Sequence, residues 1–238
     1  MQRLIDALDR RMRPLHLYFR DDDAGWAAER LDALLDMFAR LDCPIDLAVI
    51  PAVLTEAEAG RLAARRARQP GVAFHQHGFA HLNYEPEGAR KCEFGPSRPV
   101  ERQCADIAMG RERLLGLLGE VEPMFTPPWN RCLPETVVRL PGLGFAVYSD
   151  DAAAVPQPGG PLHVPIHLDW ERARRSDQQL AALQTLFARD EEHLGLMLHH
   201  AVMTRSAIDE LAAVLTAVRN HPNLRPVAMR TVMENCHV

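Results

Sequence analysis

The sequence predicts an α/β fold in which parallel strands close into a (β/α) barrel. Short apolar, β-prone runs alternate with amphipathic helical segments along the 238 residues, and the connections between them are short. About seven or eight strands favour closure into a distorted TIM-like barrel over an open sheet. No low-complexity tract or shift in composition marks a linker, so we expect residues 1–238 to form a single domain.

The first two β/α units are the clearest. Residues 15–20 are β-prone and are followed by three aspartates, where the strand is expected to end. From residue 27 to 41 apolar residues recur at helical spacing, and Pro44 then interrupts the pattern. A second strand at 45–50 precedes a helix at 55–69, which opens on a capping pattern.

The same alternation continues towards the C-terminus, although each signal is shorter. Further strands are predicted at 72–75, 124–125, 144–148, 162–168 and 194–198, and a last one at 226–229. Helices are predicted between them at 100–118, 134–140, 177–188 and 208–219.

Composition excludes several classes of partner and compartment. The formal net charge of −5 provides no basic field for nucleic acid or a membrane surface, so a small molecule or a carbohydrate is the expected partner. The charged N-terminus lacks the apolar run of a secretory signal, which favours a cytoplasmic protein. The cysteines form no Cys-x-x-Cys pair and are expected to be free thiols; they are Cys43, Cys92, Cys104, Cys132 and Cys236. The oligomeric state is left open.

Polar residues of catalytic types follow the predicted strands. In a parallel barrel the carboxyl ends of the strands meet at one rim, which carries the active site. The residues expected at this rim are Asp21, Asp22, Asp23, the segment 75–81, the segment 127–130, the segment 149–151, His199 and His200. We therefore expect carboxylates and imidazoles to converge there.

His77 and His81 are candidate metal ligands. Two histidines four residues apart share one side of a helical turn, and imidazole with carboxylate suits zinc, with cobalt, manganese or nickel as alternatives. Eleven histidines in the chain make such a pair a weak signal alone, because ordinary loop histidines would produce it too. The aspartates alone could equally form a solvated turn. Their shared rim position favours a metal site with an open position for water.

Four segments in order resemble the motifs of the polysaccharide deacetylase family, also called the NodB-homology family. They are an Asp-Asp pair within 19–25, the His-x-x-x-His of 77–81, the proline-aromatic segment 125–129, and Leu198-His199. The resemblance implies that the first Asp of the pair is a general base and that the second binds metal with both histidines. Three consecutive aspartates allow two alignments with the Asp-Asp motif. If the alignment matches at Gly25, Asp22 is the base and Asp23 the ligand; in the other alignment Asp21 is the base and Asp22 the ligand.

The same resemblance implies a general acid and a reaction. His199 would protonate the leaving amine, with the adjacent His200 as the alternative. Metal-dependent hydrolysis of a C–N amide bond is therefore expected, on an N-acetyl sugar or polysaccharide. Residues expected to contact the substrate are Pro128, Trp129, Asp21 and His200.

The chain departs from the family pattern in ways that leave the substrate open. Arg20 stands where an apolar residue is usual, Thr126 replaces an Arg before the prolines, and no Ser or Thr follows His77. Arg20 could hold a carboxylate ionised through a bidentate pair, or form only an exposed ion pair. Two alternatives to the deacetylase therefore remain: an amidohydrolase acting on a small non-carbohydrate amide, and a sugar-binding barrel without turnover.

Overall fold

Nine parallel strands and the helices that cover them make up the described part of the protein. The structure, a computed structural model, describes residues 1–235. The strands are β1 (Leu15–Ala24), β2 (Ile45–Val49), β3 (Val72–His77), β4 (Met124–Thr126), β5 (Val147–Tyr148), β6 (Leu162–His163), β7 (Leu168–Asp169), β8 (His193–Leu198) and β9 (Leu224–Pro226).

Helices occupy the six segments in which the sequence predicts them, and three further helices precede the first strand, follow the seventh strand and end the described chain. The α-helices are α1 (Gln2–Asp9), α2 (Ala28–Arg40), α3 (Glu56–Arg68), α4 (Val100–Leu118), α5 (Pro134–Val137), α6 (Trp170–Arg175), α7 (Gln179–Phe187), α8 (Arg205–Val218) and α9 (Met229–Asn235). Short 3-10 turns occupy Pro128–Asn130, Leu140–Leu143 and His200–Val202. The capping pattern at the start of α3 is present, with Thr55 and Glu58 each accepting the other's backbone N–H.

The strands curl into a barrel, as predicted. Eight of them lie in the order β6-β5-β4-β3-β2-β1-β8-β7, and β9 pairs with the start of β1. One segment, residues 162–169, pairs with β5 through its first half and with β8 through its second half. Pro165 lies between the two halves and has no backbone N–H for a ladder. This change of partner brings the two edges of the sheet together and makes the barrel distorted.

The first strand is longer than predicted. The three aspartates lie inside β1 instead of ending it, and the pairing with β2 is irregular between Asp21 and Ala24. Asp23 has a left-handed backbone with a φ of 71°. Charged residues can stay in this buried strand because Asp21 and Asp22 each pair with a buried cation.

The hydrophobic core lies between the sheet and its covering helices. Phe19 of β1 packs edge-on against Phe38 of α2, with ring centroids 5.0 Å apart. No helix among residues 1–235 is both long and apolar enough to cross a membrane. The thiols of Cys43, Cys92, Cys104 and Cys132 are free, as predicted, and Cys236 lies outside the described residues.

Candidate metal centre and active site

Asp23, His77 and His81 converge at the carboxyl-terminal rim of the barrel. Asp23 lies in the irregular end of β1, His77 is the last residue of β3, and His81 lies in the loop that follows. The Oδ1 atom of Asp23 is 3.3 Å from Nε2 of His77 and 3.2 Å from Nε2 of His81. All three ligand atoms lie within 4.8 Å of one another. A carboxylate and two imidazoles therefore face one point.

These three residues fit a divalent metal ion. Oδ1 of Asp23 is buried and receives no hydrogen bond of normal geometry, although two imidazole nitrogens adjoin it. Two ligands at about 2.0–2.1 Å from zinc in tetrahedral geometry are about 3.3 Å apart, close to the observed separations. Nδ1 of His77 lies 3.1 Å from the carbonyl oxygen of Thr126, which leaves Nε2 free to face the metal position.

The electrostatics favour an ionised Asp23. Burial raises the pKa of this carboxyl group, but the adjoining imidazoles of His77 and His81 outweigh the burial and hold the pKa well below its usual range. The group is therefore a carboxylate throughout the neutral range, as a metal ligand must be.

The His77–His81 loop has a different local structure from the helical turn expected. Gly78 adopts a φ of 53°, and a Cβ there would lie 2.3 Å from Oε2 of Glu93 and 2.5 Å from Cδ of Pro128. The fully buried Glu93 accepts backbone N–H groups from Phe79 at 3.1 Å and from Ala80 at 2.7 Å. The loop is therefore held by Glu93, which carries no sequence signal because it lies outside every recognised motif.

We expect the Glu93→Gln variant to bind metal about 10- to 100-fold more weakly, by analogy with groups that orient metal ligands. The amide replaces one acceptor oxygen with an NH₂ group that would face a backbone N–H and loosen the loop carrying His81. Competition of the protein with a chelator measures the affinity. The exposed Glu87→Gln in the same loop region is the control, and equal affinity in both variants would contradict the role of Glu93.

Asp22 forms a buried ion pair with Arg20. The Arg20 side chain is fully buried and donates to both carboxylate oxygens, from Nε at 2.8 Å and from Nη2 at 2.9 Å. Its remaining donors reach Ser149 Oγ at 2.8 Å and Asn130 Oδ1 at 2.7 Å. Of the two pairings considered for Arg20 from the sequence, the structure contains the bidentate one.

The ion pair keeps Asp22 ionised. Burial raises the pKa of Asp22, but the positive charge of Arg20, assisted by His77 and His199, outweighs it and lowers the pKa below its usual value. Nε2 of His199 lies 4.0 Å from Oδ2 of Asp22. A carboxylate and an imidazole of different exposure therefore stand side by side next to the metal position.

The two adjacent histidines have different environments. The His199 side chain is 27% exposed and lines the cavity above the metal position. His200 is fully buried; its Nδ1 lies 2.6 Å from Oδ2 of Asp21 and its Nε2 lies 2.9 Å from the carbonyl oxygen of Trp26. Burial lowers the pKa of His200, but Asp21 and the Trp26 carbonyl raise it to about 9. Asp21 and His200 thus form an internal ion pair, and neither side chain is available for the expected substrate contact.

A cavity of about 470 Å³ opens over the site. Trp129 lines it, and the rings of Trp26 and Trp129 flank His81 with centroids 5.0 and 4.5 Å away. Pro128 is buried behind Gly78 instead and does not line this cavity. The lining also includes Asn130, from the predicted rim segment 127–130, and five residues with no role predicted from the sequence: Asp169, Glu171, Arg172, Arg175 and Val202. Three of them, Glu171, Arg172 and Arg175, come from α6, whose approach to the rim depends on how the barrel closes.

Solved structures share this architecture, whereas no protein-family profile and no curated protein sequence matches the chain. A protein assigned as a polysaccharide deacetylase from Mycobacterium smegmatis superposes with a TM-score of 0.70 at 14% identity, over 94% of this chain and 91% of the other. An allantoinase has a TM-score of 0.67 at 13% identity, over 94% and 90%. A CE4 family pseudoenzyme from Bacillus anthracis has a TM-score of 0.63 at 11% identity, over 90% and 63%. The chain therefore has the (β/α) barrel fold of the CE4 polysaccharide deacetylases.

Proposed function

We propose that the protein is a metal-dependent hydrolase that cleaves a C–N amide bond, with Asp23, His77 and His81 as metal ligands. The observation that carries the proposal is the unsatisfied, buried Oδ1 of Asp23 facing two imidazole nitrogens at the floor of a cavity. Zinc suits this donor set first, and cobalt, manganese and nickel are alternatives. When bound, the metal would polarise the substrate carbonyl and make a water molecule more acidic.

Asp22 and His199 carry the proton transfers in this proposal. Asp22 is ionised and each of its oxygens keeps a lone pair beside the Arg20 hydrogen bonds, so it can take the proton of the attacking water. The water oxygen bonds to the amide carbon. His199, on the open side of the cavity, then gives a proton to the leaving nitrogen as the C–N bond breaks. The products are a carboxylic acid and an amine.

An N-acetylated sugar is the first substrate class that we propose, because the motifs and the fold resemble those of polysaccharide deacetylases. A small non-carbohydrate amide is the second candidate. The cavity of about 470 Å³ is the size of a small-molecule site, and one structure of the same fold is an allantoinase. Activity towards N-acetylglucosamine oligomers, compared with cyclic ureides, distinguishes the two classes.

The metal site is tested by metal analysis of freshly purified protein. We expect His77→Ala and His81→Ala each to lose about one equivalent of metal per chain and essentially all amide hydrolysis, because two remaining ligands hold zinc poorly. His221→Ala is the control, since His221 pairs with Asp9 on the surface, away from the rim. Unchanged metal content in both rim variants would refute the site.

The same protein preparations distinguish a hydrolase from a sugar-binding barrel without turnover. Metal-replete wild type should hydrolyse at least one of the two substrate classes. Sugar binding at equilibrium without turnover of any substrate would instead favour the binding-module alternative. One of the similar structures is a CE4 family pseudoenzyme, which is a precedent for this alternative.

A further inference from the structure

A second group of metal-binding side chains lies at the opposite end of the barrel. His16 is the second residue of β1 and His193 is the first residue of β8, and the parallel register makes the two residues direct neighbours. Glu192 precedes β8, and its carbonyl oxygen accepts the backbone N–H of His16 at 2.8 Å. The strand pairing itself therefore brings the three residues together.

Their ligand atoms converge. Nδ1 of His16 is 3.2 Å from Nε2 of His193 and 3.6 Å from Oε1 of Glu192, and all three atoms lie within 4.8 Å of one another. The imidazole rings are tilted by 46°, with centroids 5.0 Å apart. Two imidazoles bound to one tetrahedral zinc ion at about 2.0–2.1 Å have their nitrogens about 3.3 Å apart, close to the observed 3.2 Å.

We propose that His16, Glu192 and His193 form a second site for a divalent transition metal, zinc in particular. Two imidazoles and one carboxylate are the same ligand types as at the rim, and the half-exposed Glu192 leaves access for the ion and for a water as fourth ligand. The site is separate from the catalytic centre, because about six residues of β1 at about 3.3 Å each place it about 20 Å from Asp22. A metal ion there would cross-link the start of β1 to the start of β8.

The experiment measures zinc content and zinc-dependent thermal stability of the full chain. Wild type should bind about two equivalents of zinc, and His16→Ala, His193→Ala and the rim variant His77→Ala about one each. Zinc should raise the melting temperature of His77→Ala by several degrees through this site, and the rise should vanish in the double variant His77→Ala/His193→Ala. His221→Ala is the matched control. It removes a histidine that pairs with Asp9 alone, and these two side chains offer only two metal-ligand atoms.

The result that would overturn the proposal is a zinc content in His193→Ala equal to that of wild type, which would mean that the two histidines form only a hydrogen bond. If an alanine variant fails to fold, Glu192→Gln replaces it, since that side chain is 46% exposed. We expect it to weaken zinc binding at this site by at least about 10-fold, because loss of a direct ligand costs no less than loss of an outer-shell partner. Amide hydrolysis does not enter this readout, so failure of the proposed function leaves the test intact.

Discussion

The Asp22→Asn variant is expected to lose about 10²- to 10⁴-fold in kcat/KM for amide hydrolysis while it keeps its metal. Asparagine has nearly the shape of aspartate but cannot take a proton from water at neutral pH. Asp23, His77 and His81 remain in place, so metal analysis should give the wild-type content. Rates are measured at a temperature at which unfolding curves show the variant to be folded, because the change also weakens the pairing with Arg20.

Asp21→Asn is compared with Asp22→Asn, because the other alignment of the three aspartates makes Asp21 the general base. Asp21 contacts His200 through both oxygens and lies away from the cavity. We expect this variant to be less stable, since it leaves a buried imidazolium without its carboxylate, yet to retain turnover while folded. Loss of turnover in Asp21→Asn, with Asp22→Asn active, would assign the base to Asp21.

The Arg20→Met variant is expected to be destabilised by about 3–5 kcal/mol at neutral pH, because removing one partner leaves Asp22 as a buried carboxylate without a counter-charge. Arg20 is fully buried and makes both hydrogen bonds of the pair, so solvent cannot replace it. Denaturant unfolding at pH 7 measures the loss. The exposed pair of Arg205 and Asp209 provides the control, and Arg205→Met should cost less than about 1 kcal/mol.

The pH dependence of this loss has a definite sign. The pKa of Asp22 in the folded protein lies below its usual value, although burial raises it, because Arg20 and the neighbouring histidines lower it further. The stability that ionised Asp22 contributes is therefore present above its unfolded pKa of about 3.9 and is lost as pH falls through the folded pKa. The difference in unfolding free energy between wild type and Arg20→Met should shrink as pH falls, first through the raised pKa of Asp22 in the variant and then through this window.

Catalysis should report the same change. Without Arg20 the pKa of Asp22 rises, so the acid limb of the pH profile of kcat/KM moves to higher pH in Arg20→Met. Arg20→Lys keeps the charge but loses the bidentate geometry. The acid limb of its pH profile should therefore lie between those of wild type and Arg20→Met. An unchanged acid limb in Arg20→Met, with the protein folded, would show that Arg20 does not keep Asp22 ionised.

Local pattern in the sequence determined the alternation of strands and helices, and with it the barrel and the rim. Apolar periodicity reports which face of an element is buried, and parallel strands place their carboxyl ends together whatever the side chains are. The segments that carry Asp23, His77, His81 and His199 were therefore identifiable as rim segments, and the family resemblance supplied candidate roles for these residues.

The register of the aspartates required the tertiary structure. A regular strand points alternate side chains to opposite faces, so Asp22 and Asp23 could not both line one cavity. The irregular pairing after Asp21 and the left-handed backbone of Asp23 place both of them there and leave Asp21 to pair with His200. Neither feature has a local sequence signal, because each depends on the pairing of β1 with its neighbours.

Contacts between residues far apart in the chain were likewise settled only by the fold. Arg20 forms a bidentate pair with Asp22 because both side chains are buried together. The packing of separate elements in the barrel places Glu93 beside the loop that carries His81, and α6 beside the cavity. The sequence by itself determined that the residues following the predicted strands lie in rim segments, since that follows from local periodicity. Which of them meet there was decided by the tertiary structure, because side-chain pairing depends on burial and on distances between separate elements.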